Sequence, residues 1–144
     1  MIRLIRREFI VEQPIAKAWQ HLGRLAEWPS WAKHMQQVQV QPPGMLSAKS
    51  TALIYLRNGV RCAFQVTEFN PNQSWKWVGG FLWATVHYDH RFEEQSTTQT
   101  KLTWTVEAEG FGVSLLGKLF AKVYNRNLER AIPLLVAEIN AGSA

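Results

Sequence analysis

One cysteine, Cys62, occurs in 144 residues, so an internal disulfide is excluded and a reducing compartment is expected. Cys62 falls in a stretch that reads as strand and carries no local nucleophile signature, which makes a structural thiol the expected role. Long apolar runs are missing as well. No segment approaches the ~20 apolar residues of a membrane span, and Arg3, Arg6, Arg7 and Glu8 interrupt any apolar core of a signal peptide. The expectation is a soluble, cytoplasmic protein. No nucleophile elbow, zinc-ligand spacing or P-loop is present, and no metal or cofactor is expected. Gly79-Gly80 is too short to cradle phosphate and reads as a turn. With neither repeat nor linker, residues 1–144 are read as a single domain.

What the chain does have is apolar and aromatic mass. It is 47% hydrophobic and 19% charged, a globular balance, and its seven tryptophans are many for this length. Trp fills cores and lines binding sites alike, so the excess raises the expectation of a pocket. The net charge of +5 and pI near 9.7 could serve nucleic acid, an anionic membrane or an acidic ligand. The cations are dispersed, however, apart from the N-terminal arginines and one helical stripe, and nucleic acid is not expected as a partner.

Ile5, Arg7, Phe9 and Val11 alternate with Arg6, Glu8, Ile10 and Glu12, an imperfect strand pattern ending at Gln13-Pro14. Pro14 suits the first turn of a helix, in which Ile15, Ala18, Trp19 and Leu22 recur at helical spacing and which Gly23 can close. Leu25 to Trp31, broken by Pro29, reads as one further helical turn. Strands follow at Met35–Gln41, Lys49–Arg57, Val60–Phe69, Ser74–Val78, Trp83–Glu94 and Thr98–Gly110. They are separated by Pro42-Pro43-Gly44, Asn58-Gly59, Asn70-Pro71-Asn72, Gly79-Gly80 and Gln95-Ser96-Thr97. Short links between successive strands argue for an antiparallel meander.

From Val113 the period changes to 3.6. Leu116, Leu119, Phe120, Val123, Tyr124, Leu128, Ala131, Leu134 and Leu135 fall on one broad face, opposite Lys118, Lys122, Arg126, Glu129 and Arg130. An apolar stripe this wide calls for a concave partner. Pro133 removes one backbone bond at a cost of roughly 3 kcal/mol, which predicts a kink just before it. Gly110, Gly112 and Gly117 suggest a flexible hinge at the helix start, the mobile end that would admit a ligand. The basic stripe reads as a solvated face, with transient contact to an anionic membrane as the minority reading.

The succession of elements and of particular residues carries a resemblance. Pro14 with Ala18-Trp19 and Leu22 is followed by Trp28-Pro29-Ser30-Trp31, Val66-Thr67-Glu68-Phe69-Asn70-Pro71, Trp75 and Trp77, then His90-Arg91-Phe92 and Thr100-Lys101-Leu102-Thr103. From about Ile2 to Asn140 the chain resembles the SRPBCC superfamily. Within it, the likeness is to the polyketide cyclase/dehydrase branch related to START lipid-transfer domains and pollen allergens. Two departures are the missing glycine before the last strand, where Thr98-Gln99 stands, and Pro133 in the final helix. The resemblance implies an α+β helix-grip fold: a curved antiparallel sheet of about seven strands wrapped around a long C-terminal helix, with two short helices after the first strand. It also implies a deep apolar pocket for sterols, lipids, hormones or polyketides, and no fixed catalytic residue.

The run His87-Tyr88-Asp89-His90-Arg91 is the most chemical in appearance. Read as a strand between Val86 and Phe92, it turns Tyr88 and His90 inward and His87 and Asp89 to solvent. A His-x-Asp pair can ligate metal, but no third ligand is evident. Tyr88 and His90 on an apolar wall each need a hydrogen-bonding partner or a ligand. Orienting a ligand is the expected role; the alternative gives His90 an acid/base part in a cyclase or dehydratase, with Tyr88 donating to a carbonyl. Tyr55, Phe64, Trp77, Trp104, Leu116, Phe120 and Tyr124 complete the expected ligand wall. Of Trp75 and Trp77, taken to face opposite sides of their strand, Trp77 is preferred inward, and Trp28 and Trp31 are read as packing and entrance residues. The resulting expectation is a binding or carrier protein for a small hydrophobic ligand, needing a cavity of at least ~300 Å³. A filled interior would favour a protein-interaction module, and oligomeric state is not legible.

Overall fold

The computed structural model describes residues 2–81, 84–110 and 113–142, with only the backbone described at 81 and 113–116. Seven strands form one antiparallel sheet: β1 (Ile2–Val11), β2 (Met35–Gln41), β3 (Thr51–Leu56), β4 (Arg61–Asn70), β5 (Ser74–Phe81), β6 (Ala84–Ser96) and β7 (Gln99–Glu109). Their order is β1-β7-β6-β5-β4-β3-β2, a meander from β2 to β7 closed by β1 against β7. Helix α1 (Ile15–Gly23) and a 3-10 helix (Leu25–Ser30) carry the chain between the two edge strands, and α2 (Val113–Asn140) packs against the concave side. This is the α+β helix-grip fold, and its sheet is curved.

Alternation decides which residues face α2. On β6, Val86, Tyr88, His90 and Phe92 are buried; on β7, Leu102, Trp104, Val106 and Ala108 are buried with them. Cross-strand pairing aligns these sets, with Tyr88 opposite Val106, His90 opposite Trp104 and Phe92 opposite Leu102. Burial on one face therefore fixes the register, since a slip of one residue would turn every apolar side chain to water.

Four expectations need correcting. Gly79-Gly80 is not a turn: both lie inside β5, paired with Val86 and Thr85. At Gly79 a Cβ would lie 2.8 Å from the Phe64 ring and 3.0 Å from the Ala63 carbonyl, so the glycine exists to let Phe64 lie over the strand. Gly117 lies within α2 rather than in a hinge, and a Cβ there would stand 2.7 Å from Leu4. Of the other two, Gly110 sits at φ +136°, a conformation that favours glycine, and Gly112 lies outside the described residues.

Nor do the apolar residues of α2 share one face opposite its cations. Leu128, Ala131, Leu135 and Ile139 are in the core, whereas Leu119, Val123 and Leu134 are exposed, because at 100° per residue these three stand on the cations' side of the helix. The helix also continues as one element through Pro133, whose side chain is exposed, so the carbonyl it frees lies at the exposed Glu129. Lastly, Trp75 and Trp77 do not face opposite ways. Residues two apart on a strand share a face, and both indoles are buried on the concave side with their rings 6.0 Å apart.

The two halves of α2 are held differently. At its end the Glu12 amide donates to Asn140 Oδ1 at 2.7 Å, and His21 Nε2 lies 3.0 Å from Glu138 Oε1. Buried Leu135 and Ile139 add to these ties. Nearer the start, Phe120, Ala121 and Tyr124 are only partly buried, and Arg7 Nη1 makes a long 3.5 Å contact to Asn125 Oδ1. The rear of the helix is anchored and the front rests on the sheet.

Candidate functional site

Beneath α2 the concave face is dense with rings. His90 lies at its centre, stacked on Trp75 at 3.9 Å and nearly parallel, with Trp77 and Trp104 presenting edges at 5.8 and 5.9 Å. Phe64 stacks on Trp77 at 4.8 Å and meets Tyr88 edge-on at 5.3 Å. Tyr88 in turn lies 5.9 Å from Tyr124, which stacks on Phe120 at 5.5 Å. Aromatic contacts thus run without a break from the sheet centre to the front of α2.

The hydrogen bond of His90 assigns its tautomer. Nδ1 is 3.3 Å from the Trp75 carbonyl oxygen, and a carbonyl can only accept, so Nδ1 carries the proton and Nε2 is a bare acceptor. Burial lowers the imidazole pKa from 6.5 to about 3, opposed by the Trp75 carbonyl. Face-on stacking with an indole favours the imidazolium by about 2 kcal/mol when desolvated. That is less than half of the ~5 kcal/mol this shift represents. His90 is therefore neutral at physiological pH.

The neighbours are neutral too. Burial raises the Tyr88 phenol well above its usual range, with smaller contributions from Tyr124 and Cys62. The Tyr124 phenol is raised by burial and by Cys62, the Cys62 thiol is raised by burial, and His34 is held down by burial. One donor stands out among these groups. Trp28 Nε1 donates to the Leu22 carbonyl at 2.9 Å, whereas the buried Nε1 atoms of Trp75 and Trp104 have no hydrogen-bond partner, and of these two residues only Trp104 lines the cavity beside His90. An orphaned buried donor costs about 1–3 kcal/mol, which makes it a place where a ligand's oxygen gains.

Trp104 and His90 open onto the same cavity, lined also by Trp28, Trp31, His34, Met35, Tyr88, Asp89, Thr105, Val106, Asn127, Leu128 and Ala131, and by Tyr124 at the front of α2. Its volume is ≈ 30 Å³, room for about one water and not for a ligand of ordinary size. The deep hollow implied by the resemblance is thus filled, among the described residues, by the protein's own rings.

Of the expected wall residues, Trp104, Tyr88, His90 and Tyr124 line this cavity, and Phe64, Trp77 and Phe120 form the ring contacts behind them. Leu116 has its side chain outside the described residues, as does the whole of Trp83. Tyr55 is misplaced: β3 turns Ala52 and Ile54 inward, and the Tyr55 hydroxyl reaches 3.5 Å to Gln39 on the opposite, exposed side. On that outer face His87 pairs with exposed Glu109 at 3.2 Å, and Asp89, whose Oδ1 is buried without a partner, accepts from Arg91 at 2.9 Å through its other oxygen. Among the described residues no group of three metal-ligating side chains converges.

Sequence reasoning missed His34 and Asn127, and it gave Trp28 and Trp31 too small a part. His34 follows the 3-10 helix in a stretch with no periodicity to orient it. Asn127 precedes Leu128 on the inner side of α2, where a polar residue on a packed helix face was the available signal.

A family model described as polyketide cyclase/dehydrase and lipid transport matches residues 4–138. Among solved structures, the chain is similar to the protein XoxI of Bacillus cereus at 11% identity, covering 96% of both chains with a TM-score of 0.75. A hypothetical protein of Helicobacter pylori is 18% identical over 92% of this chain and 84% of its own, with a TM-score of 0.75. The ZhuI aromatase/cyclase of Streptomyces sp. R1128 is 10% identical over 94% and 92%, with a TM-score of 0.72. At these identities the likeness is one of fold. No curated protein matches the sequence.

Proposed function

The chain belongs to the polyketide cyclase/dehydrase and lipid-transport family, and from that premise we propose that it works as one domain binding a small, uncharged, mostly apolar ligand with a hydroxyl group. The observation that carries this reading is the pairing of His90 Nε2, a bare acceptor, with Trp104 Nε1, an unpartnered donor, on one apolar cavity. A hydroxyl can donate to the first and accept from the second, and both groups lie buried among aromatic rings, where an added charge would be costly. Because the cavity is ≈ 30 Å³, binding requires the front of α2 to lift from the sheet while its rear stays tied.

The cyclase alternative is weaker on the same geometry. A general acid/base works best with a pKa near the operating pH, whereas His90 is held at about 3 and has a carbonyl, not a carboxylate, on Nδ1. The small cavity itself favours a different second reading: if α2 does not lift, the interior is plain core and the chain is a protein-interaction module.

Calorimetry with 2-naphthol and naphthalene separates these readings. The hydroxylated probe should bind about 5- to 150-fold more tightly, the worth of two net hydrogen bonds. Replacing Trp104 or His90 by Phe should remove about half of that preference in free energy, replacing both should abolish it, and naphthalene binding should stay in place. Failure of both probes to bind would remove the ligand reading. Native mass spectrometry of protein purified from its own host would then identify the physiological ligand by its mass.

A further inference from the structure

Two features of α2 play no part in the cavity, and they lie on the same side of the helix. Leu119 and Val123 are 62% and 52% exposed, the most exposed large apolar side chains among the described residues, and Leu134 is 41% exposed. Lys118, Lys122, Arg126 and Arg130 are exposed beside them. None of these four cations has an ion-pair or hydrogen-bond partner among the described residues. At 3.6 residues per turn the seven side chains fall within an arc of about 160°, with Lys118, Lys122 and Arg126 along one flank and the aliphatic side chains along the other, Arg130 among them. Glu129 is the only acid in that arc.

A solvated face accounts for the cations but not for three aliphatic side chains among them. Nucleic acid would use the cations and leave Leu119 and Val123 without a role, since its outer surface is phosphate. A bilayer carrying anionic lipid accommodates both. The aliphatic groups enter the boundary between headgroups and acyl chains, and the Lys and Arg stems extend over the apolar region to place their charges among phosphates. The helix need not insert. No helix among the described residues is long and apolar enough to cross a membrane, and a helix lying in the interface plane needs only one such face.

We propose that the outer face of α2 is a docking surface for an anionic phospholipid bilayer. It lies on the side of the helix opposite the cavity, so the bilayer would contact the element that covers the cavity. The docking argument is independent of the ligand reading, because none of the seven residues lines the cavity.

Vesicle sedimentation of the full chain tests it, using phosphatidylcholine vesicles with and without about one-third phosphatidylglycerol. Binding is expected only with phosphatidylglycerol and should weaken at ~0.5 M salt. Each cation near such a surface contributes about fivefold, so Lys122→Gln with Arg126→Gln should lower partitioning about 25-fold. Leu119→Ser with Val123→Ser should lower it about tenfold or more at an unchanged melting temperature, both side chains being exposed. No binding to phosphatidylglycerol vesicles, equal binding to phosphatidylcholine, or indifference to the Leu119/Val123 pair would each overturn the proposal. So would a charge-dependent affinity for duplex DNA that exceeds the vesicle affinity and ignores the apolar pair.

Discussion

His90→Phe should flatten the acid dependence of this protein's stability. The wild-type imidazole is held at about 3 in the fold against an ordinary 6.5. Between those values the unfolded chain binds a proton that the folded chain refuses, so stability rises with pH across this window. The contribution is complete above about pH 6.5 and is withdrawn as pH falls toward 3. At pH 5 the deficit is 1.5 pH units at 1.36 kcal/mol each, about 2 kcal/mol, and by pH 4 it is between about 3 and 4 kcal/mol. The pH 5 figure is robust, because restoring part of the shift through indole stacking changes it by only about a tenth of a kcal/mol. Phe keeps the stack on Trp75 but leaves the Trp75 carbonyl one donor short, so the variant should be about 1 kcal/mol weaker at pH 7. It should then lose about 2 kcal/mol less than wild type on going to pH 5, so that the two stability curves cross between. His34, also depressed by burial, acts in both proteins and cancels in the difference. Urea titrations followed by tryptophan fluorescence at pH 7, 6, 5 and 4.5 give the two curves directly. Parallel curves would mean that His90 titrates normally, and the assignment of Nε2 as a permanent acceptor would fall with it.

Other outcomes follow from packing. Gly79→Ala forces a Cβ toward the Phe64 ring at 2.8 Å, a ring already stacked on Trp77, and should cost about 1–3 kcal/mol in chemical denaturation; Gly80→Ala, whose nearest neighbour would be 3.9 Å away, should cost under about 1 kcal/mol. Leu135→Ala removes a fully buried anchor at the rear of α2 and should cost about 2–5 kcal/mol, against no more than about 0.5 for Leu119→Ala. Backbone amides of Phe120–Tyr124 should exchange with deuterium faster than those of Leu128–Ile139, because only the rear segment is held by buried anchors and by the Asn140 and Glu138 ties. Equal protection along α2 would leave no route for a ligand to the cavity.

Most of the strand and helix order was legible because it is written in local periodicity and turn chemistry. Asn58-Gly59 marked a hairpin that the structure places between β3 and β4, and the alternation around His90 oriented Tyr88 and His90 correctly. Errors came where one residue's role depends on a neighbour far along the chain. Gly79-Gly80 has turn composition, yet it is strand because Phe64 lies over it. Tyr55 has wall composition but takes the outer phase of β3. Trp75 shares the concave face with Trp77 because residues two apart on a strand point the same way, a relation the two-residue period already contains.

By itself the sequence determined the element order, the family and the inner face of β6, since each follows from patterns within a few residues or from their succession. Only the tertiary structure decided what the concavity holds. Hydropathy records that a residue is apolar and not how much volume its neighbours leave, so among the described residues the rings that promised a pocket leave a hollow of ≈ 30 Å³ between them. In α2 the 3.6-residue period by itself sets Leu119 and Val123 on the opposite side of the helix from Leu128 and Leu135, and only the packing decided that the side of Leu128 and Leu135 is the one covered.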